Sequence, residues 1–267
     1  MTAKVALVTA SSAGLGAATV KALAPYFRVV VNYNSRAEKA QEVITQASAI
    51  KPLTYSDTDT DNDKQQQPRF HAIKADISSR SEIQRLVAET VDVMGRLDVV
   101  VSNAGWTRLT NFFDIDQQVN EDDWDKCFNL NVKAHLWLLY AAKDHLEKAA
   151  DEEGGIGGAF VTVASLAGVR PSGSSLPYSV TKAAEIHLTK GLAIICGRKI
   201  RCNSVSPGLM MTEWGNKFPE AKVKATTEKS ALKSTASPED VAEQIRTLVL
   251  SKSITGQNIV MDCGIAI

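Results

Sequence analysis

The chain is short of every feature that would tie it to a metal, a membrane or a nucleic acid. Its four cysteines, Cys127, Cys196, Cys202 and Cys263, have neither the spacing of a disulfide framework nor that of a zinc site. They read as inert thiols in a reducing compartment, and the expected location is the cytoplasm. The four histidines, His71, His135, His145 and His187, form no HExxH or comparable cluster, so no metal is expected. No apolar run approaches the length of a membrane span, and Met1-Thr-Ala-Lys passes at once into an apolar segment, which predicts no leader. Charge of one sign is missing too. Thirty basic residues balance thirty acidic ones, which removes the electrostatic case for a nucleic-acid or anionic-membrane partner.

What is present is apolar sequence in short, regularly spaced runs. With 44% hydrophobic residues over 267 positions, one large core is within reach. Residues 5–8, 28–33, 70–75, 97–102, 159–163, 200–205 and 258–262 read as seven strands, and several are apolar throughout, as strands buried on both faces are. Helical patterns separate them: 37–49, a segment opened by a Ser79/Glu82 capping box, 121–150, 178–196, and one begun by Ser237-Pro238. This alternation predicts an α/β fold, a doubly wound Rossmann-type α/β/α sandwich with a seven-stranded, mostly parallel sheet. No second core or linker divides residues 1–267, so a single domain is expected. A polar insert near 51–69, acidic at its centre and closed by glutamines, cannot form core and is expected to loop out.

The first strand runs into TASSAGLG, residues 9–16, and then a helix reaching toward Tyr26. Strand, tight small-residue turn and helix form the unit that offers backbone N–H groups and a helix N-terminus to a phosphate; a plain turn has the same composition. Asn32, Asn34, Ser35 and Arg36 follow the second strand, where a carboxylate would receive a free ribose hydroxyl. An arginine fork there suits a phosphate instead and favours NADP(H). Asp76 and Ile77 follow the third strand, placed to hold and cover an adenine, and Asn103-Ala104-Gly105 follows the fourth, where small residues admit a ligand.

The reacting groups come later. Ser165 follows the fifth strand, and in YSVTK the phenol of Tyr178 and the ammonium of Lys182 stand one helical turn apart on one face. A free phenol titrates near 10, and a neighbouring cation favours its phenolate, so Tyr178 can exchange a proton with a substrate oxygen that Ser165 holds. A tyrosine and a lysine at this spacing also occur by chance.

Taken together, these motifs resemble the short-chain dehydrogenase/reductase family, in particular its carbonyl-reducing and 3-oxoacyl-reducing branches, across essentially the whole chain. Residues 9–16 resemble its cofactor turn TGxxxGxG, NAG at 103–105 its central motif, and Pro207-Gly208 with Thr212 its PGxxxT. The resemblance implies that Asn131, Ser165, Tyr178 and Lys182 are catalytic, with Lys182 also holding the nicotinamide ribose and Asn131 a water chain behind it. It implies that Thr9, Ser11, Ser12, Gly14, Leu15 and Gly16 line the cofactor turn. Reduction of a ketone or aldehyde by NADPH is expected, with Tyr178 as general acid. The alternatives are a 3-oxoacyl-thioester reductase, an NAD-linked alcohol oxidation, or an NADP-binding scaffold or regulator with little turnover.

Trp106, Leu166, residues 171–176 and Trp214 are candidate substrate walls. Residues 209–235 occupy the family's mobile lid, with Met210, Met211 and Phe218 as further apolar contacts. The lysines at 217, 222, 224, 229 and 233 read as a solvated helix face. His135, Leu136, Leu138, Leu139, Ala183, Ile186, Leu188 and Leu192 exceed one core stripe, and the family's use of these helices implies a homodimer or homotetramer. One departure concerns the cofactor turn. Ala10 stands where the family has its first glycine, and the expected result is altered backbone geometry or affinity, unless a positive φ is required there.

Overall fold

Strands made almost wholly of Val, Ala, Leu, Ile and Phe can be satisfied only where both faces are covered, and the chain arranges them so. In the computed structural model, which describes residues 3–54, 67–152 and 157–267, β1 (Val5–Val8), β2 (Arg28–Tyr33), β3 (Phe70–Lys74), β4 (Val99–Ser102), β5 (Gly158–Val163), β6 (Ile200–Pro207) and β7 (Asn258–Met261) form one sheet in the order β3-β2-β1-β4-β5-β6-β7. Every pairing is parallel, so the sheet is fully rather than mostly parallel. The order reverses between β1 and β4, which opens a crevice at the carboxyl ends of those two strands.

Side-chain alternation divides the core. Ala6 and Val8 of β1 face a cluster built with α1 (Gly14–Leu23), α2 (Ala37–Ser48) and α9 (Pro238–Leu250), while Val5 and Leu7 face one built with α3 (Arg80–Met94), α5 (Ala134–Glu152) and α7 (Leu176–Cys196). The remaining helices are α4 (Glu121–Phe128), α6 (Leu166–Val169) and α8 (Glu220–Lys229). No helix among the described residues is long and apolar enough to cross a membrane.

Several expectations are corrected. Helix α1 stops at Leu23, short of Tyr26, because Pro25 has no N–H to continue it. Only half of the capping box forms. Ser79 accepts from the Glu82 backbone at 3.4 Å, but the Glu82 carboxylate turns to Arg85. The helical material after residue 121 is broken by a π-helical turn over Asn129–Lys133. His135, Leu138, Leu139 and Leu192 are buried within the fold and do not form an outer face. Of the same set Ala183, Ile186 and Leu188 on α7 keep open surface, and the outward apolar stripe there runs through Val180 and Ala183 to Ile194, which is 85% exposed. Most of the insert, residues 55–66, lies outside the described residues, as do residues 153–156 ahead of β5.

Candidate active site

The turn from β1 into α1 is held open by two asparagines. Ala10 takes the left-handed conformation, φ 49°, with its N–H donating to Asn32 Oδ1 at 2.9 Å and its carbonyl accepting from Asn103 Nδ2 at 3.1 Å. The expected reshaping of the turn is therefore overturned. The backbone keeps a positive φ, and the alanine bears the strain. A left-handed alanine costs about 1–2 kcal/mol, partly offset by the freedom that glycine has in the unfolded chain. Ala10→Gly is accordingly expected to stabilise the protein by about 0.5–1 kcal/mol, a rise of about 1–4 °C in Tm by thermal unfolding. Gly16 has no such latitude, because a Cβ there would lie 2.6 Å from the Ala10 carbonyl oxygen.

The turn's own side chains face inward. Ser11 is buried and donates to Val8 O at 2.7 Å, and Thr9 Oγ1 accepts from Asn103 N at 2.9 Å. What remains for a ligand is chiefly backbone, with the Leu15 side chain lining the cleft. Helix α1 starts without a side-chain cap or an acidic residue in its first turn, whereas Ser79, Asn120, Ser175 and Ser237 cap α3, α4, α7 and α9. Gly14, at φ 55°, faces the Thr212 side chain across this opening, 3.5 Å from where a Cβ would lie. Uncapped donors beside a small-residue turn fit a dinucleotide's phosphates.

The adenosine side departs from expectation. Asn32 lies within β2, 1% exposed, where its amide donates to Ile73 O and Ala75 O, so it serves as a clamp and not as a ribose contact. Asp76 closes a local turn by accepting from Ser78 N, and Ile77 belongs to the core cluster rather than standing over the crevice. Asn34, Ser35 and Arg36 are exposed. Arg36 pairs with Glu213 at 2.5 Å, and Lys39 grips the same carboxylate. These two cations hold the Glu213 carboxyl below the usual carboxylate range. A carboxylate is thus present beside Arg36 after all, delivered by the segment after Thr212, which no pattern in the sequence announces.

Ser165, Tyr178 and Lys182 meet in a cleft of about 1270 Å³ that also exposes Asn103, Gly105, Pro207, Gly208 and Thr212. Ser165 caps α6 by accepting from Ala167 N at 3.1 Å, which leaves its hydroxyl hydrogen to give. Ser175 Oγ caps α7 at the Tyr178 N–H, and the Tyr178 hydroxyl has no hydrogen-bond partner among the described residues. Lys182 Nζ stands 5.8 Å from the Tyr178 ring centre and donates at 2.7 Å to both Val163 O and Glu185 Oε2, so one N–H is left over. Gly105 leaves room beside it: a Cβ there would come within 3.4 Å of Nζ. Asn131, fully buried in the π-helical turn, spends its side chain on Trp106 N, Trp106 O and Thr181 Oγ1. It positions the wall after NAG.

Behind Lys182 lies a charge cluster that the sequence did not reveal. Glu185 is fully buried, and burial, against the pull of Lys182, pushes its carboxyl up to about 7. His135 Nε2 faces Glu185 Oε1 at 3.4 Å, while Nδ1 lies 2.6 Å from Ser102 Oγ. Burial and the Lys182 charge hold His135 neutral, well below 6.5. Burial also pulls on Lys182, but Glu185 and Tyr178 win, and its ammonium stays above its ordinary range.

The substrate side brings together Trp106, Leu166, Met210, Trp214 and Phe218, along with residues 171–174. Met211 does not line the cleft, and Ser175 is used as the α7 cap. Phe112 and Phe113, from the loop after NAG, were not foreseen. The expectation of a solvated lysine face is corrected in part, since Lys217, Lys222 and Lys229 line the cleft. Among the described residues no group of His, Cys, Asp or Glu is arranged to hold a metal ion.

Comparison with known proteins agrees with this arrangement. A family model described as enoyl-(acyl carrier protein) reductase matches residues 9–266. The chain is 34% identical over 265 residues to a Streptomyces violaceoruber protein assigned as ketoacyl reductase 2 of the granaticin polyketide synthase, covering 98% of this chain and 96% of that one. It is 35% identical over 269 residues to human dehydrogenase/reductase SDR family member 4, covering 98% and 87% respectively. Among solved structures, a short chain dehydrogenase from Burkholderia cenocepacia J2315 in complex with NADP superimposes with a TM-score of 0.82 at 30% identity, covering 99% of this chain and 98% of that one. The chain belongs to the short-chain dehydrogenase/reductase family of NAD(P)-dependent oxidoreductases.

Proposed function

We propose that this protein, acting as one catalytic domain, reduces a ketone or aldehyde to an alcohol with NADPH. The observation that carries this is the hydrogen-bonding capacity that the described residues leave free in the cleft: one hydrogen on Ser165, the Tyr178 hydroxyl, and one N–H on Lys182. The turn at residues 9–16, Asn103 to Gly105, and Thr212 would hold the dinucleotide, which when bound supplies the hydride. Ser165 donates to the carbonyl oxygen and fixes its place. Tyr178 gives that oxygen its proton as negative charge develops there. Lys182, held by Glu185, keeps its charge 5.8 Å from the Tyr178 ring centre and stabilises the phenolate left behind. The test is the fall of NADPH absorbance over a panel of ketones, aldehydes and 3-oxoacyl thioesters. Absence of turnover with every one of them would overturn the assignment.

Preference for NADPH would rest on Arg36 and Lys39, with the cofactor's 2′-phosphate taking the place of the Glu213 carboxylate between them. Arg36→Ala is expected to weaken NADPH by about 10–100-fold, the worth of a charged hydrogen bond, and NADH far less. Glu213→Gln is expected to tighten NADPH by about 2–5-fold, because an exposed pair no longer competes. Fluorescence titration with both cofactors checks this, and equal losses for the two in Arg36→Ala would exclude phosphate recognition. Self-association as a dimer or tetramer fits the exposed stripe of α7, where Gly191 has open space beside it.

A further inference from the structure

The cleft walls are cationic in a way that the reduction of a neutral ketone does not require. Arg170, Lys182, Lys217, Lys222 and Lys229 line the cleft, and among the described residues no Asp or Glu does. Helix α8 explains how this arises. It has no buried residue, and its cleft-facing stripe is Lys222, Ala225, Thr226 and Lys229, at helical spacings of three and four. That stripe would be apolar on an ordinary amphipathic helix. The acidic residues of α8 lie elsewhere: Glu228 pairs with Lys224 at 4.0 Å, both exposed. The outer face therefore carries both signs of charge, while the inner face presents lysines that have no carboxylate partner among the described residues.

Lys222 is the most committed of them. It is half-buried, donates to the Gly173 carbonyl at 2.8 Å, and lies 4.9 Å from the Phe218 ring centre. One carbonyl satisfies one of its three N–H groups. An ammonium drawn partly out of water without an anion is destabilising, and burial accordingly lowers its proton affinity. The arrangement becomes favourable when an anion arrives. Gly173 also lies beside the chemistry, because a Cβ there would stand 3.6 Å from the Tyr178 ring. A single residue therefore separates Lys222 from the proposed proton donor.

Resting on the reductase reading above, we propose that the substrate carries its own anionic group, a carboxylate or phosphate a few bonds from the carbonyl, and that Lys222 pairs with it inside the cleft. Lys217, Lys229 and Arg170 surround the approach and raise the local concentration of anions, as same-sign clefts with apolar walls do. A small molecule bearing both groups suits this placement better than a carrier protein, whose charges would remain outside.

The experiment uses straight-chain 3-oxo, 4-oxo and 5-oxo acids, their methyl esters and the matching phosphonates, and reads two signals. One is NADPH oxidation. The other is quenching of tryptophan fluorescence in the presence of NADP, since Trp106 and Trp214 line the cleft. The best acid or phosphonate is expected to exceed its ester by about tenfold in kcat/KM and in binding, with the advantage shrinking as salt is added. Lys222→Met, which keeps the stem, is expected to lower the ratio of acid to ester by about tenfold, Lys222→Arg to restore most of it, and the outward-facing Lys224→Met to leave it unchanged. Acid-selective binding that depends on Lys222 supports the proposal even if no ketone is reduced, in which case the reductase reading alone fails. Equal binding of acid and ester overturns the proposal whatever the turnover, as does a preference shown only by carrier-bound substrates.

Discussion

Tyr178→Phe is expected to lower turnover by about 10²–10⁴-fold, the usual contribution of a positioned general acid, while NADPH binds as before. The substitution removes one oxygen and little else. The Tyr178 hydroxyl makes no hydrogen bond to the described protein, so none is broken, and the ring keeps its place against Gly173. Ser165 would still polarise the carbonyl and Lys182 would still carry its charge, so the residual rate measures what orientation and electrostatics achieve without a proton donor. Initial rates by NADPH absorbance, with cofactor binding followed separately by fluorescence, check both halves. Equal rates in the two proteins would remove Tyr178 from the mechanism, and a parallel loss of binding would make it a structural residue.

Above about pH 8, where Glu185 is ionised, Glu185→Ala is expected to destabilise the fold by about 3–5 kcal/mol, the cost of stranding one charge of a buried pair. The charge left behind is Lys182, 3% exposed and otherwise bonded to a single carbonyl, with a neutral His135 nearby. Glu185→Gln keeps the shape and one acceptor and is expected to lose about half as much. Glu185→Leu combined with Lys182→Met removes both charges and is expected to recover most of the stability lost in Glu185→Ala. Urea unfolding of the four proteins tests this, and a double variant no better than Glu185→Ala would show that shape, rather than charge, governs the cluster. The pH dependence has a definite sign. Glu185 titrates at about 7 in the fold against an ordinary 4.5, so between these values the folded state binds more protons than the unfolded chain. Its contribution therefore declines as pH rises from about 4.5 to about 7 and is constant above. Glu185→Gln should flatten that decline.

The sheet was legible because parallel strands buried on both faces leave unbroken apolar runs, and all seven strands begin within two residues of the expected position, β1, β2, β3, β6 and β7 at the residue expected. The pairing of Tyr178 with Lys182 was legible because a helical turn fixes it. The groups that touch them were not. Glu185 and His135 are fifty residues apart and meet only because α5 and α7 pack on the same face of the sheet. The π-helical turn at Asn129–Lys133 has no composition that separates it from ordinary helix. Glu213 reaches Arg36 across 177 positions. The inward turn of the α8 lysines was not legible for a related reason. With no apolar stripe to set its phase, nothing in 220–229 says which side turns inward.

The wholly parallel ladder has an evolutionary corollary. All seven strands run the same way and the segments after β4, β5 and β6 meet at a single rim, so the wall stretches near 109–117 and 214–229 can be exchanged without disturbing one rung of the scaffold, while Asn103, Ser165, Tyr178 and Lys182 on that rim stay in place. Substrate preference in such a molecule can drift rapidly over an unchanging frame, and a new activity need be built only at that rim.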